Sequence, residues 1–305
     1  MHLDTDLGGN PDDACALALL LGWPDTSVIA VTTTLEDRGR RAGCAAHVLE
    51  MAGRPDVPVV AGAEETLTGH RYPSTWGDDR YWPDPVEALP SPSPSAALDR
   101  LAESIEQGAT VVAIGGLTNL ARLELERPGA LHGVAVVAMG GWLDPLADGL
   151  PPWGPARDFN IQCDTRSAEI VLASACDLTL ALLPVTAGVH LVRGDLPDLR
   201  AAGVVGRLLA LQAETNGRDK DRAALARAHE ALPRDLLNFH WDPVAAAIAV
   251  GWPGATVGSA RLEARYEDDA LRFVRSAEGR PTEVLTRVAA EEFRQVFLDA
   301  VARLP

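Results

Sequence analysis

The sequence has a single lysine, Lys220, among its 27 basic residues, so nearly all of its positive charge is arginine. Schiff-base or phosphate-loop chemistry, which needs a lysine, therefore has one candidate at most. A cysteine pattern is also missing: Cys15, Cys44, Cys163 and Cys176 are scattered, with no C-x-x-C pair. That argues against a disulfide framework, and the expectation is buried free thiols in a reducing, cytoplasmic compartment. No apolar run approaches the length of a bilayer span, and no signal peptide precedes Asp4. Net positive charge is absent as well. Against 43 acidic residues the 27 basic ones leave a formal charge of −16, which speaks against nucleic acids and anionic membranes as partners. No internal repeat or linker divides the chain, so residues 1–305 are read as one domain.

What is present is concentrated in the opening, MHLDTDLGGNPDDA, where Asp4, Asp6, Asp12 and Asp13 surround a Gly-Gly turn. Met1 to Leu3 reads as the end of a buried strand. Asn10 is a helix N-cap residue type and Pro11 suits the first helical position. Asp12 and Asp13 follow in the first turn, where the helix dipole favours negative charge. For either acid alone, capping is a sufficient explanation. As a cluster beside a glycine turn at the carboxyl end of a strand, they mark a ligand site. Acids this close repel unless protons or a cation intervene, and hard oxygen donors at this density suit Ca²⁺ or Mg²⁺.

The rest of the chain alternates strand and helix. Strands are expected over 27–34, 57–61, 109–115, 134–139 and 178–183, and helices over 38–52, 95–107, 119–126 and 164–175. Residues 195–232 read as mostly helical, and an alanine-rich helix follows with Asp242 at its N-cap. The runs 259–266 and 271–275 read as a hairpin at the sheet edge, before a last helix over 289–302. This is an α/β fold, a mostly parallel central sheet flanked by helices with a small antiparallel extension near the C-terminus. Two long loops, 62–95 and 142–158, are rich in aromatic or acidic residues, and the first is read as a lid or ligand-facing loop. Polar residues recur at strand ends: Asp37, Gly115 to Asn119, Asp158, Asn160 and Asp242. Acids converging on one sheet edge point to a metal-centred site.

These motifs, in this order, resemble the nucleoside hydrolases, the inosine-uridine preferring N-ribohydrolase family. The opening D-T-D-x-G-G…D-D-A resembles the family signature. Val31 to Thr34 followed by Asp37 is similar to its second strand and substrate-contacting tip. Ile114 to Asn119 is similar to its T-G-G/P-L-T-N turn, Met139-Gly140-Gly141 to M-G-G, Asp158-Phe159-Asn160 to E-F-N, and Trp241-Asp242-Pro243 to H-D-P. The resemblance implies metal-dependent hydrolysis of an N-riboside to ribose and free base, in nucleoside salvage. It implies one Ca²⁺, with Mg²⁺ second, on the carboxylates of Asp6, Asp13 and Asp242 and the Ile114 carbonyl. Asp12, Asp158 and Asn160 would bind sugar hydroxyls, and Asp6 would serve as general base toward a metal-bound water. The partner would be a small-molecule nucleoside, and the assembly a homodimer or homotetramer.

Three departures stand out. Five residues separate Asp6 from Asp12, a longer turn than the common family pattern. Asp158 replaces the usual Glu. Trp241 stands where many members carry a His that protonates the leaving base, with His240 one residue away. Trp241, together with Asp37, resembles the purine-specific branch, where stacking on the base assists its departure, and Trp76 or Trp82 would then supply the second face. Alternatives are hydrolysis of a modified N-riboside, a non-catalytic ribose- or nucleoside-binding relative, and more remotely a haloacid-dehalogenase-like phosphatase.

Overall fold

The computed structural model describes residues 1–72 and 80–305. The chain alternates β1 (His2–Thr5), α1 (Pro11–Gly22), β2 (Ala30–Thr33), α2 (Arg40–Met51), β3 (Val59–Ala61), α3 (Ala96–Glu106), β4 (Val111–Ala113), α4 (Thr118–Glu126) and β5 (Ala135–Met139). It continues with α5 (Phe159–Gln162), α6 (Thr165–Ala173), β6 (Asp177–Ala181), α7 (Leu183–Thr186), β7 (His190–Val192), α8 (Leu196–Ala201), α9 (Gly203–Asp219) and α10 (Arg222–Ala228). Last come β8 (Leu236–Phe239), α11 (Trp241–Ala249), β9 (Ala255–Glu267), β10 (Ala270–Arg275), β11 (Arg280–Val288) and α12 (Ala290–Val301).

Among the described residues the main sheet has nine strands, in the order β10-β9-β11-β6-β5-β4-β1-β2-β3. From β6 to β3 every pairing is parallel. The strand order reverses between β1 and β4: the chain first winds outward through β2 and β3, then returns to β4 and winds the other way. Such a reversal leaves a crevice at the carboxyl ends of the two central strands, the usual ligand site of open α/β sheets. The expected hairpin is present as β9 and β10, but a third strand joins it. β11 pairs antiparallel with β9 and parallel with β6, which attaches the hairpin to the main sheet. A separate small pair, β7 and β8, also escaped the sequence reading.

Strand alternation divides the core. Val112, Ile114, Val137 and Met139 face one side, with Leu17, Leu20, Val244 and Phe297 of α1, α11 and α12. Val111, Ala113, Val136 and Ala138 face the other, with Leu101, Leu120 and Val171 of α3, α4 and α6. α1 is buried almost throughout, including both of its first-turn acids. A helix apolar along its length belongs in the interior, so Asp12 and Asp13 are carried into the core by the helix that bears them. Asn119 ties the central strand ends together. Its Nδ2 donates to Asp4 Oδ1 at 2.7 Å and to the Thr33 carbonyl at 2.9 Å, while its Oδ1 accepts from Ala63 N at 3.0 Å.

Two helix starts differ from expectation. Thr118 is the first residue of α4 instead of its cap, and Trp241 opens α11, which places Asp242 in the first turn. Among the described residues no helix is long and apolar enough to cross a membrane. All four cysteines are free and buried, as expected.

Candidate active site

A cavity of about 510 Å³ opens over the β1/β4 reversal, lined by Asp6, Asp12, Asp13, Ile114, Asp158, Asn160, Trp241 and Asp242 among others. Each arrives from a different structural device. Asp6 follows the last residue of β1, and Ile114 follows the last residue of β4. Asp12 and Asp13 sit in the first turn of α1, Asp242 in the first turn of α11. Asp158 caps α5 and Asn160 lies within it. Gly115 is required here because the β4 and β1 ends nearly touch: a Cβ at that position would lie 2.8 Å from Asp6 N and 2.9 Å from Asp6 Oδ1.

Three carboxylates form the centre. Ligand oxygens of Asp12, Asp13 and Asp242 all lie within 4.8 Å of one another, and all three residues are buried. Thr5 Oγ1 donates to Asp13 Oδ1 at 2.5 Å, which fixes that side chain. Asp12 Oδ1 is buried with no hydrogen-bond partner among the described residues. A buried carboxylate oxygen left unpaired is costly, and three such groups in contact repel. Burial above all, and then mutual repulsion, drives Asp13 and Asp242 well above the ordinary carboxylate range. Burial likewise pushes Asp12 up to about 7. A divalent cation removes both penalties together, so the donor set fits one.

Asp6 lines the same cavity; burial raises it too, and Arg41 works against that rise. Arg41 Nη1 donates to the Asp6 carbonyl and lies 3.8 Å from its Oδ2. Arg41 Nε donates to the Leu35 carbonyl at 2.7 Å, so the guanidinium is braced from α2 against the carboxyl end of β1. The Ile114 carbonyl lines the cavity and accepts from Asn160 Nδ2 at 2.9 Å. That bond uses one lone pair and leaves the second for a ligand. Asp158 accepts from Gly141 N at 2.6 Å and Ile161 N at 3.4 Å, and burial raises it to about 7. The Trp241 ring lies flat on Phe239, with centroids 4.8 Å apart and planes at 6°, and the Arg222 guanidinium lies near both rings.

A strand-order reversal with acids from β1, α1 and α11 over it matches the motif order read from the sequence. The family model for inosine-uridine preferring nucleoside hydrolases matches residues 1–295. The chain belongs to this family. Among curated family relatives, the pyrimidine-specific ribonucleoside hydrolase RihA of Shewanella baltica is 33% identical over 213 residues, 66% of this chain and 64% of the relative. RihA of Salmonella schwarzengrund is 31% identical over 213 residues, 66% of this chain and 65% of the relative. The match thus spans somewhat under two thirds of these relatives. Among solved structures, a plant nucleoside hydrolase superposes with a TM-score of 0.80 at 21% identity, covering 99% of this chain and 98% of its own. A purine-preferring ribonucleoside hydrolase from Gardnerella vaginalis gives 0.79 at 20% identity, with 99% and 98% covered. At these identities the superpositions show the nucleoside-hydrolase fold, a single α/β architecture with a mostly parallel sheet. The family assignment sets aside the haloacid-dehalogenase-like alternative.

The structure does not bring every expected family residue into the cavity. Asp37 is not among the residues lining this cavity and pairs with Arg38 and Arg40 at 3.4 and 3.9 Å. The turn before α2 is taken by Glu36, whose carboxylate accepts from Arg41 N, Ala42 N and Thr33 Oγ1. His240 is buried among Phe293 and Phe297, 4.6 Å from the latter ring, and burial lowers it to about 3. It is a core residue and does not line the cavity. Trp82 is also buried, donating Nε1 to the Gly8 carbonyl at 3.2 Å, so it braces the glycine turn from behind and offers no face to a base. Trp76 lies outside the described residues. Asp4, grouped with the other acids by sequence, faces away into a network with Thr32 and Asn119.

Other lining residues are not singled out by the sequence, although Arg80 and Tyr81 fall in the loop read as ligand-facing. Arg41 looks like any arginine of a helical run. Tyr81 and Arg80 belong to the first long loop and are fastened to the end of α9, with Tyr81 Oη 3.1 Å and Arg80 Nη1 3.0 Å from Asp219. Arg157 and Lys220 complete the mouth.

Proposed function

We propose that this protein hydrolyses the N-glycosidic bond of a ribonucleoside, releasing ribose and free base, with one divalent cation at the cavity floor. The observation that carries the reading is the trio of buried carboxylates with oxygens within 4.8 Å of one another, one of those oxygens unpaired, at the strand-order reversal. Asp6, Asp13, Asp242 and the Ile114 carbonyl are the assigned ligands, with Asp12 close enough to share the ion. Ca²⁺ is the assigned ion, since flexible, mixed carboxylate and carbonyl donors suit it better than the strict octahedron of Mg²⁺. When bound, the cation supplies Lewis acidity toward the ribose diol and the attacking water.

The chain's own residues supply the rest. Asp12, Asp158 and Asn160 accept or donate hydrogen bonds at the sugar hydroxyls and fix the ring over the floor. Asp6 takes the proton of the attacking water, general-base help worth ~10²–10⁴-fold. Burial raises Asp6, which strengthens it as a base, and its neighbour Arg41 opposes that rise and favours the ionised form. Breaking the glycosidic bond builds positive charge on the ribose, and the surrounding carboxylates stabilise it. Trp241, rigidly stacked on Phe239, presents an indole to the departing base and supports the purine preference. The relatives named above include both pyrimidine-specific and purine-preferring enzymes, so base preference belongs to this proposal and not to the family assignment. The buried free cysteines agree with a cytoplasmic location, and a homodimer or homotetramer, read by sedimentation, is part of the same proposal.

The test is a ribose-release assay on purine and pyrimidine nucleosides with and without chelator. Chelator-sensitive release, faster from purines, is expected. Release that chelator leaves untouched removes the cation from the account, and faster release from pyrimidines removes the role given to Trp241.

A further inference from the structure

The cavity holds an acidic cluster, but cations line it as well. Arg157 and Lys220 both line it, both are solvent-exposed, and neither forms an ion pair among the described residues. The other cations in the lining are committed: Arg41 to Asp6, and Arg80 to Asp219 at 3.0 Å. Arg157 immediately precedes Asp158, and its guanidinium rests over the Trp153 ring at 5.3 Å, which holds the long side chain in place. Lys220 closes the C-terminal end of α9, its N–H bonded to the Asn216 carbonyl at 2.9 Å. A cation at a helix C-terminus has a sufficient local reason in the helix dipole. Arg157 ends the short 3₁₀ turn Pro155–Arg157, too short to carry a comparable dipole, and its described contact is the Trp153 ring.

A neutral nucleoside gives neither residue a partner. A protein of formal charge −16 repels anions at long range, so an anionic ligand needs dedicated local cations to enter. Here the chain's only lysine and an arginine with no ion-pair partner among the described residues line one cavity. We propose that the substrate of this cavity is an N-riboside bearing an anionic group, a phosphate on the sugar or a carboxylate on the base, held at the mouth by Arg157 and Lys220. The proposal rests on the N-ribohydrolase reading for the placement of the ribose on the acidic floor. Arg157 offers a planar fork that phosphate and carboxylate both accept in bidentate fashion, and Lys220, lining the same cavity, adds a point charge. The cavity, at about 510 Å³, lies within the range of small-molecule sites.

The experiment measures base release by chromatography, with Ca²⁺ present, from inosine and inosine 5′-monophosphate and from uridine and orotidine. At least one anionic compound should exceed its neutral parent in kcat/KM by about tenfold or more, the effect of one charge-assisted hydrogen bond. The arm that shows it identifies the anion as phosphate or carboxylate. The double variant Arg157→Ala/Lys220→Ala, both positions being on the surface, should bring that ratio back toward one. The proposal is overturned if both anionic compounds are cleaved less well than their parents, or if the double variant leaves the ratio where it was. Absence of base release from all four compounds ends the hydrolase reading, and calorimetric binding of the same four then decides this one. Tighter binding of an anionic member than its parent sustains it; equal or weaker binding of both anionic members overturns it.

Discussion

Replacing Asp242 by Asn should make the cation-free protein more stable and the cation-loaded protein less so. In the wild-type protein the ligand oxygens of Asp12, Asp13 and Asp242 lie within 4.8 Å of one another. Two unit charges at that distance repel by ~3.5 kcal/mol at an effective dielectric of about 20. Proton uptake caps this cost, because burial and repulsion already hold Asp242 well above the ordinary carboxylate range. The substitution also forfeits an acid in the first turn of α11, worth ~0.3–1 kcal/mol. The net expectation at pH 8 without cation is a gain of ~1–3 kcal/mol, or roughly 2–5 °C in Tm. In the wild-type protein, Ca²⁺ at about a hundred times its Kd adds ~2.7 kcal/mol, and the variant should lose most of that increment. Thermal denaturation with chelator and with Ca²⁺ reads both signs. A variant that melts lower than wild type in chelator, yet keeps the full Ca²⁺ shift, refutes the reasoning, because Asp242 would then be a structural acid and not a ligand.

Other outcomes follow from the same geometry. Asp6→Ala should abolish turnover, by a factor of ~10² or more, with circular dichroism unchanged; full residual activity would remove Asp6 from the mechanism. Trp241→Ala should lower kcat/KM for purine nucleosides more than for pyrimidine ones, and an equal loss for both would show that the indole does not read the base. Gly115→Ala must displace the Asp6 segment, since the added Cβ lies 2.8 Å from Asp6 N; a cost of ~1–3 kcal/mol and weaker Ca²⁺ binding are expected, and wild-type cation affinity would contradict the tight β1/β4 approach. In cation-free protein, burial raises Asp12 and Asp158 from 3.8 to about 7. Between those values the native state holds protons that the unfolded chain has released, so stability falls as pH rises across that window. The Tm in chelator should therefore be lower at pH 8 than at pH 5, with the larger Ca²⁺ shift at pH 8; a Tm rising with pH would contradict it.

The parts of this fold that could be read from sequence are those with a local physical signature. The β-branched run before Thr34, the glycines after Ile114 and the Asn10-Pro11 start of α1 each determine their own conformation. Asp12 and Asp13 are legible because helix first turns place acids predictably, and Asp242 is legible at a helix start, although Trp241 opens that helix and moves it from the cap into the first turn. What could not be read depended on contacts distant in sequence. β11 begins Arg-Pro-Thr-Glu and has no strand signature until β6 and β9 flank it. Trp82 and His240 are the residue types that line sites, yet burial against Gly8 and against Phe297 turned both into supports. Asp37 lost its place because Glu36, one residue earlier, satisfied the start of α2. Arg41 reaches Asp6 across 35 residues of chain, a pairing that no spacing rule reveals.

A single divalent cation on these buried carboxylates is proposed to switch on N-riboside hydrolysis. The most direct test strips the protein with chelator, then titrates Ca²⁺ back while following ribose release from inosine and bound metal in the same samples. The account predicts activity near zero in the stripped protein, returning linearly and reaching its plateau at one equivalent of bound Ca²⁺. Full activity in metal-free protein, or one equivalent bound with no return of ribose release, would contradict it.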